Sequence, residues 1–266
     1  MALDLTSVQA KVDHSAKHFQ TLEDKVFTWQ DGNFCSIEAE RNREFTEHSL
    51  IYRCTQEPDL LDWSLVFGDC IHNLRCALDH LVYAIAAHES KKSPPPRWNQ
   101  LAFPILDANK KFADFRSSKL RDLSSDVVTA IESMQPYNRP HHNLLPLLRL
   151  LREFDDADKH RLLHLAVTQA VEWQFDNIKG LAPESGTLRF IPYDVGELKD
   201  NTKIATLTTE GPAPDLSFDR FALRIGAVVA HDPGPSGTTH TLFYDMLNQL
   251  GYEVGFAIAK VSAAVK

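Results

Sequence analysis

The segment from Asp69 to Tyr83 concentrates side chains that can donate, accept or transfer protons, and it contains no Lys or Glu. On a helix, at about 100° per residue, these side chains share one face. That face carries Asp69, His72, Asn73, Cys76, Asp79, His80 and Tyr83, with Arg75 at its margin. Because a solvated face usually holds Lys, Glu and Gln, this composition favours a ligand-binding or catalytic surface, or a polar network covered by another layer of the fold.

A second group of ionisable residues, at 155–161, ends a strongly apolar segment. In the last turn of a helix, Lys159, His160 and Arg161 would complement the helix dipole, which is a purely structural role. The functional alternative is that these three side chains meet the polar helix across a cleft and contact a ligand there.

A metal site is an alternative for four residues spaced i, i+3, i+7 and i+11, namely Asp69, His72, Cys76 and His80. His72 and Cys76 are one helical turn apart and could share an ion that His160 or Asp158 completes. The sequence does not specify the metal. A non-catalytic interpretation also stays open, in which the polar helix recognises a small ligand or a partner chain, so the sequence does not decide whether the protein is an enzyme.

The elements that must position these residues follow from hydrophobic periodicity. We predict helices over 5–30, 62–88, 107–116, 125–135 and 144–164, a β-hairpin within 34–54, and strands at 165–175, 187–191, 203–209 and 218–229. The fold class is therefore α+β, an N-terminal helical bundle with a β-hairpin, then a mostly antiparallel β-sheet and a C-terminal helix. We expect a single domain over 1–266, with a helix-rich part at 1–164, a β-rich part at 165–237 and the C-terminal helix at 238–266.

The C-terminal helix carries a row of small residues beside its apolar face: Gly251, Gly255, Ala259 and Ala263. Small side chains allow another backbone to approach closely. We predict that this row packs against the core of the protein itself, and the alternative is a seam between two helices of a homodimer.

Composition and charge limit the function classes. The net charge of −8 works against broad nucleic-acid binding, but it allows a small basic site. The chain shows no signal peptide, no apolar membrane span and no glycine-rich phosphate loop, which predicts a cytoplasmic protein with no membrane partner and no cofactor. Reduced thiols are the expected state of the four cysteines, although a Cys35–Cys54 bridge across the hairpin is an alternative.

Four segments, Gly68–Tyr83, Phe103–Ile105, Gln135–Tyr137 and Asp158–Arg161, together resemble a widespread family of uncharacterised bacterial proteins. The resemblance covers most of the chain in order, from the hairpin to the strand after residue 165. It implies no function.

The motif from Arg75 to His80 is also similar to the Arg-x4–6-His motif of the HEPN superfamily of helical ribonucleases and nucleotide-binding modules. Cys76 departs from the polar residue that often follows the Arg. The resemblance implies metal-independent RNA cleavage at a homodimer interface, with His80 transferring a proton and Arg75 holding the phosphate. His72 and Asp79 complete the predicted catalytic set. The predicted ligand-binding set, for RNA or a nucleotide, is Asp69, Asn73, Tyr83, Lys159, His160 and Arg161.

Overall fold

A computed structural model describes residues 3–32, 34–139, 146–160, 165–168, 173–193, 198–223, 226–231 and 239–266. The chain forms two compact units, each built from stretches that are distant in the sequence. Unit 1 comprises Met1–Glu23, Leu61–His164 and His231–Lys266, and unit 2 comprises Asp24–Leu60 and Leu165–Ala230. The predicted α+β class is confirmed.

The helices and strands of the described residues follow in chain order. The first half contains α1 (Thr6–Asp31), β1 (Cys35–Arg41), β2 (Glu47–Cys54), α2 (Leu60–Ser90), α3 (Asn109–Lys119), α4 (Ser125–Ser133) and α5 (Leu147–His160). The second half contains β3 (Leu165–Thr168), β4 (Trp173–Lys179), β5 (Arg189–Pro192), β6 (Thr202–Thr208), β7 (Ser217–Leu223), β8 (Gly226–His231), β9 (Thr239–Leu242) and α6 (Phe243–Ser262). No helix in the described part of the chain is long and apolar enough to cross a membrane.

The strands of unit 2 pair in antiparallel fashion, as predicted. Its largest sheet has the order β1-β2-β6-β5, and β4–β7 and β3–β8 form further antiparallel pairs. β2 contributes the buried Leu50, Ile51 and Tyr52, and β6 contributes the buried Ile204 and Leu207. The main differences from the prediction lie in the strands. The segments 165–175 and 218–229 each contain two strands, and a short strand, β9, occupies the start of the predicted C-terminal helix.

Unit 1 is centred on α2, whose apolar face is buried as the periodicity predicts. The buried side chains of this face are Phe67, Ile71, Leu74, Leu78, Leu81, Val82 and Ile85. Phe154 of α5 meets Phe67 edge to face, with 5.9 Å between ring centroids. Burial of a large apolar side chain contributes about 1.5–3 kcal/mol, so this face is the main source of stability for the helix that carries the polar residues.

A segment at 103–106, which is neither helix nor strand, is held by side chains. Arg75 donates to the carbonyl of Phe103, and the amide of Phe103 donates to Asp79 at 2.8 Å. The amide group of Gln135 bonds the carbonyl of Pro104 and the amide of Leu106. Arg75 and Asp79 also pair with each other at 2.9 Å, so these two polar residues of α2 fix the segment.

Two helices approach closely at one glycine of unit 1, whereas the space beside two other glycines is open in the part of the chain that the structure describes. A Cβ on Gly68 of α2 would lie 2.1 Å from a carboxylate oxygen of Asp158 on α5. By contrast, a Cβ on Gly251 or Gly255 of α6 would meet nothing within 4 Å. The prediction that the small-residue row packs against the core is therefore wrong at Gly251 and Gly255, since the space above them is open in the described structure.

Alanine substitution separates these two situations. Gly255→Ala should raise the free energy of unfolding by about 0.5–1 kcal/mol, because alanine favours a helix over glycine and its methyl group enters open space. Gly68→Ala should gain less stability than Gly255→Ala, because the carboxylate of Asp158 must move. Urea denaturation of both variants measures the difference, and equal gains would contradict the close contact of α2 with α5.

Candidate functional site

The polar side of α2 faces two other helices of unit 1. From α1, Ser15 donates to the carbonyl of Cys70 at 2.9 Å, and Lys11 donates to the Asn73 side chain at 3.2 Å. Asn73 is buried and donates in turn to the carbonyl of Asp69 at 2.8 Å. These contacts fix α1 against α2 and place the ammonium group of Lys11 beside the polar stripe of α2. This stripe is the helix face that carries Asp69, His72, Asn73, Cys76, Asp79, His80 and Tyr83.

From α5, a buried carboxylate approaches the same stripe. The side chain of Asp155 is only 2% exposed, and one of its oxygens lies 3.1 Å from Nδ1 of His72. Its other oxygen accepts a hydrogen bond from Lys159, one helical turn away. A buried carboxylate requires such partners, because an unpaired charge in the interior is costly. Asp155 therefore fixes the orientation of the His72 imidazole.

The second nitrogen of His72 faces a thiol. Nε2 lies 3.3 Å from Sγ of Cys76, which is one turn further along α2. When Nδ1 carries the proton toward Asp155, Nε2 is free to accept the thiol proton. Asp155, His72 and Cys76 thus form a line of carboxylate, imidazole and thiol, which is the arrangement of a nucleophile, its base and the group that orients the base.

Charges around this line act in opposite directions. Burial raises the pKa of the Cys76 thiol, whereas the positive charge of Lys11 lowers it. His72 is 48% exposed, so its imidazole is accessible from solvent. Burial raises the pKa of Asp158, and the negative charges of Asp69 and Asp155 raise it further. The site is therefore locally acidic, with the thiol and imidazole at its accessible side.

The predicted site residues divide between this cluster and other places. Asp69 lies 3.9 Å from Nδ1 of His18 at the surface, and His160 is exposed at the end of α5. Arg75 and Asp79 hold the segment at 103–106, as described above. Arg161 lies outside the described residues.

His80 and Tyr83 lie further along α2, and both are half-buried. Within the described residues, no hydrogen bond of His80 is seen. Tyr83 lines a separate cavity of about 350 Å³, together with Ser7, His88 and Lys91. The structure therefore brings His72 and Lys159 together around Asp155, but Tyr83 lies apart from this cluster.

A metal site requires several ligand side chains that converge on one ion. Among the described residues, which include Asp69, His72, Cys76 and His80, no three His, Cys, Asp or Glu side chains are grouped as metal ligands would be. The predicted set points along one helix face, and the imidazole of His72 is already shared between a carboxylate and a thiol.

Two residues of the cluster, Asp155 and Lys11, were not predicted as site residues from the sequence. Asp155 stands next to buried Phe154 in an apolar helix, and its role depends on contact with a helix 83 positions away. Lys11 belongs to an ordinary amphipathic helix. The one available signal was the spacing of Lys11, Ser15 and His18 at i, i+4 and i+7, which places polar groups on one face of α1.

The raised pKa of Asp158 makes a testable contribution to stability. Its charged form is less favourable in the folded chain than in the unfolded one, so ionisation destabilises the fold. Asp158→Asn should therefore raise the melting temperature at pH 7, and the gain should shrink as the pH falls through the pKa of folded Asp158 and vanish below the ordinary value of 3.8. Exposed Asp156 supplies the control, Asp156→Asn. A gain for Asp158→Asn that persists unchanged at low pH would contradict this assignment.

Comparison with protein-family models, curated proteins and solved structures finds no match to this chain. The resemblance to a bacterial family and the HEPN likeness therefore stay predictions.

Proposed function

We propose that unit 1 carries a thiol-dependent acyl-transfer or hydrolytic site, with Cys76 as nucleophile, His72 as base and Asp155 as the residue that positions the base. The observation that supports this proposal is the pair of contacts at the two nitrogens of His72, 3.1 Å to Asp155 and 3.3 Å to Cys76. A thiol needs an adjacent base because the thiolate is the nucleophile, and burial disfavours that thiolate here.

The chemistry follows from these positions. As Sγ of Cys76 bonds to the carbonyl carbon of an ester or thioester, its proton moves to Nε2 of His72. The imidazolium returns that proton to the leaving alcohol or thiol, and an acyl thioester forms on Cys76. Water then attacks the thioester, with His72 accepting and returning a proton, and the free acid leaves. Asp155 stabilises the imidazolium in both steps.

The charges around the site indicate a substrate class. Asp79 and Asp155 act on the Cys76 thiol with negative charge, Lys11 and Arg75 act on it with positive charge, and the whole chain is acidic. The net negative charge of the chain disfavours the approach of anionic acyl compounds over neutral or cationic ones. We therefore propose small, uncharged or cationic acyl esters and thioesters as substrates.

The test is hydrolysis of p-nitrophenyl acetate and of an acetyl thioester by the full-length protein. His72→Gln and Cys76→Ala should each reduce kcat/KM at least about 100-fold, and Asp155→Asn should reduce it by a similar order. Wild-type protein quenched during turnover should carry one acetyl group on the peptide containing Cys76.

The role of His72 as the base has its own readout. Alkylation of Cys76 by iodoacetamide should slow in His72→Gln, and its pH profile should shift to higher pH, because the imidazole no longer accepts the thiol proton. Cys54→Ser serves as the control, since it removes a thiol outside the cluster. Ester hydrolysis by Cys76→Ala at the wild-type rate would refute the proposal, provided that the variant melts as the wild type does.

RNA cleavage is the second candidate, favoured by one observation. His80 lies one turn from Cys76 on the same stripe and is half-buried, with no hydrogen bond seen within the described residues. Against it, both terminal nitrogens of Arg75 are already engaged, one by Asp79 and one by the carbonyl of Phe103. Binding a phosphate would require Arg75 to leave these partners.

Incubation of single-stranded RNA with the protein in a chelator tests this second candidate. Metal-independent cleavage that is lost in His80→Gln, while thermal stability is retained, would support it. Arg75→Ala is less informative because it also releases the segment at 103–106. Cleavage equal in wild type and His80→Gln, or absent from both, would count against a ribonuclease. If the protein is a homodimer as predicted, sedimentation in the same buffer would show it.

A further inference from the structure

Two cysteines of unit 2 face each other across the β1–β2 hairpin. Cys35 and Cys54 are register partners, and their sulfur atoms are 3.6 Å apart. Both are free thiols and both are partly exposed. This pair lies outside the acyl-transfer site proposed above and plays no part in it.

The backbone geometry at this pair suits a covalent bond. The amide of Thr55 donates to the carbonyl of Phe34 at 2.8 Å, so the neighbouring partners Phe34 and Thr55 are hydrogen-bonded. Hydrogen-bonded and non-hydrogen-bonded pairs alternate along an antiparallel ladder, which places Cys35 and Cys54 in a non-hydrogen-bonded pair. The Cα atoms of such a pair are about 4.5 Å apart, within the range that a disulfide spans.

We propose that Cys35 and Cys54 form a reversible redox dithiol, which closes into a disulfide by exchange with a small-molecule disulfide and locks the hairpin. The register and the facing sulfur atoms carry this inference, since closure requires side-chain rotation and no change of strand pairing.

The order of the exchange follows from the surroundings of each thiol. Burial raises the pKa of Cys35 to about 12, and its sulfur lies 2.9 Å from the hydroxyl of Tyr52. Cys54 donates to the carbonyl of Gln56 at 3.3 Å. Because burial disfavours the Cys35 thiolate, Cys54 loses its proton first and attacks one sulfur of oxidised glutathione, and one glutathione thiolate leaves. The Cys35 thiol then loses its proton and attacks Sγ of Cys54, and the second glutathione leaves. The protein gives up two electrons and two protons, and two glutathione thiols form.

Closure has a local consequence. β1 is the edge strand of the β1-β2-β6-β5 sheet, and the bridge would fix its first residue to the last residue of β2. The unfolded chain would also lose freedom, because the bridge closes the loop between positions 35 and 54. The oxidised protein should therefore melt at a higher temperature than the reduced one.

The experiment incubates the full-length protein with reduced or oxidised glutathione and measures free thiols, intact mass and melting temperature. Oxidation should lower the thiol count from four to two, remove about 2 Da and raise the melting temperature, and dithiothreitol should reverse all three changes.

Variants identify the bridge. Cys76→Ser should still lose two thiols, whereas Cys54→Ser should neither lose 2 Da nor gain in melting temperature. Cys35→Ser should stop at a glutathione adduct on Cys54. A glutathione adduct that persists on Cys35 or Cys54 of the wild type, a bridge that includes Cys70 or Cys76, or a bridge that lowers the melting temperature would overturn the proposal. Cys35→Ser and Cys54→Ser should leave ester hydrolysis unchanged, so the two proposals fail separately.

Discussion

The buried carboxylate of Asp155 imposes the strongest constraint on unit 1. At 2% exposure it cannot be left without compensating donors, and it obtains them from His72 on another helix and from Lys159 on its own. The distance and rotation between α2 and α5 must satisfy this pair, and Gly68 allows the approach by leaving room for Asp158. The same constraint that holds the helices together also sets the direction of the imidazole toward Cys76.

The buried apolar face of α2 was predictable from the sequence, because burial follows the local periodicity of apolar residues. The face of α2 from Phe67 to Ile85 is buried, and the boundaries of α1 and α2 lie within about two residues of those predicted. The hydrogen-bond partners of the polar face of α2 were not predictable, because they lie in segments that are distant in the sequence. Arg75 and Asp79 look like catalytic residues in the sequence, yet they bind the backbone of Phe103, and Asp155 contacts His72 from a distant segment. The prediction from the row of small residues in α6 was wrong for a related reason. Small side chains allow another element to approach the helix closely, but they do not show that one does.

The two thiol environments illustrate how neighbours decide what a cysteine can do. Cys76 lies against an imidazole that can take its proton, which offsets the effect of burial in raising the pKa of this thiol. Cys35 lies against a buried phenol and a second thiol, and burial raises its pKa. Residue type is the same in both places, so the difference in chemistry comes entirely from the surrounding side chains.

The segment at 103–106 shows what the Arg75–Asp79 pair and Gln135 achieve beyond their own contacts. Extended backbone with unpaired amides and carbonyls can recruit a strand from another molecule, which leads to aggregation. Here the carbonyls of Phe103, Pro104 and Ile105 accept side-chain donors, the last from Arg152, and the amides of Phe103 and Leu106 find side-chain acceptors. Pro104 has no amide hydrogen to offer. The stretch is consequently a poor template for intermolecular β-pairing.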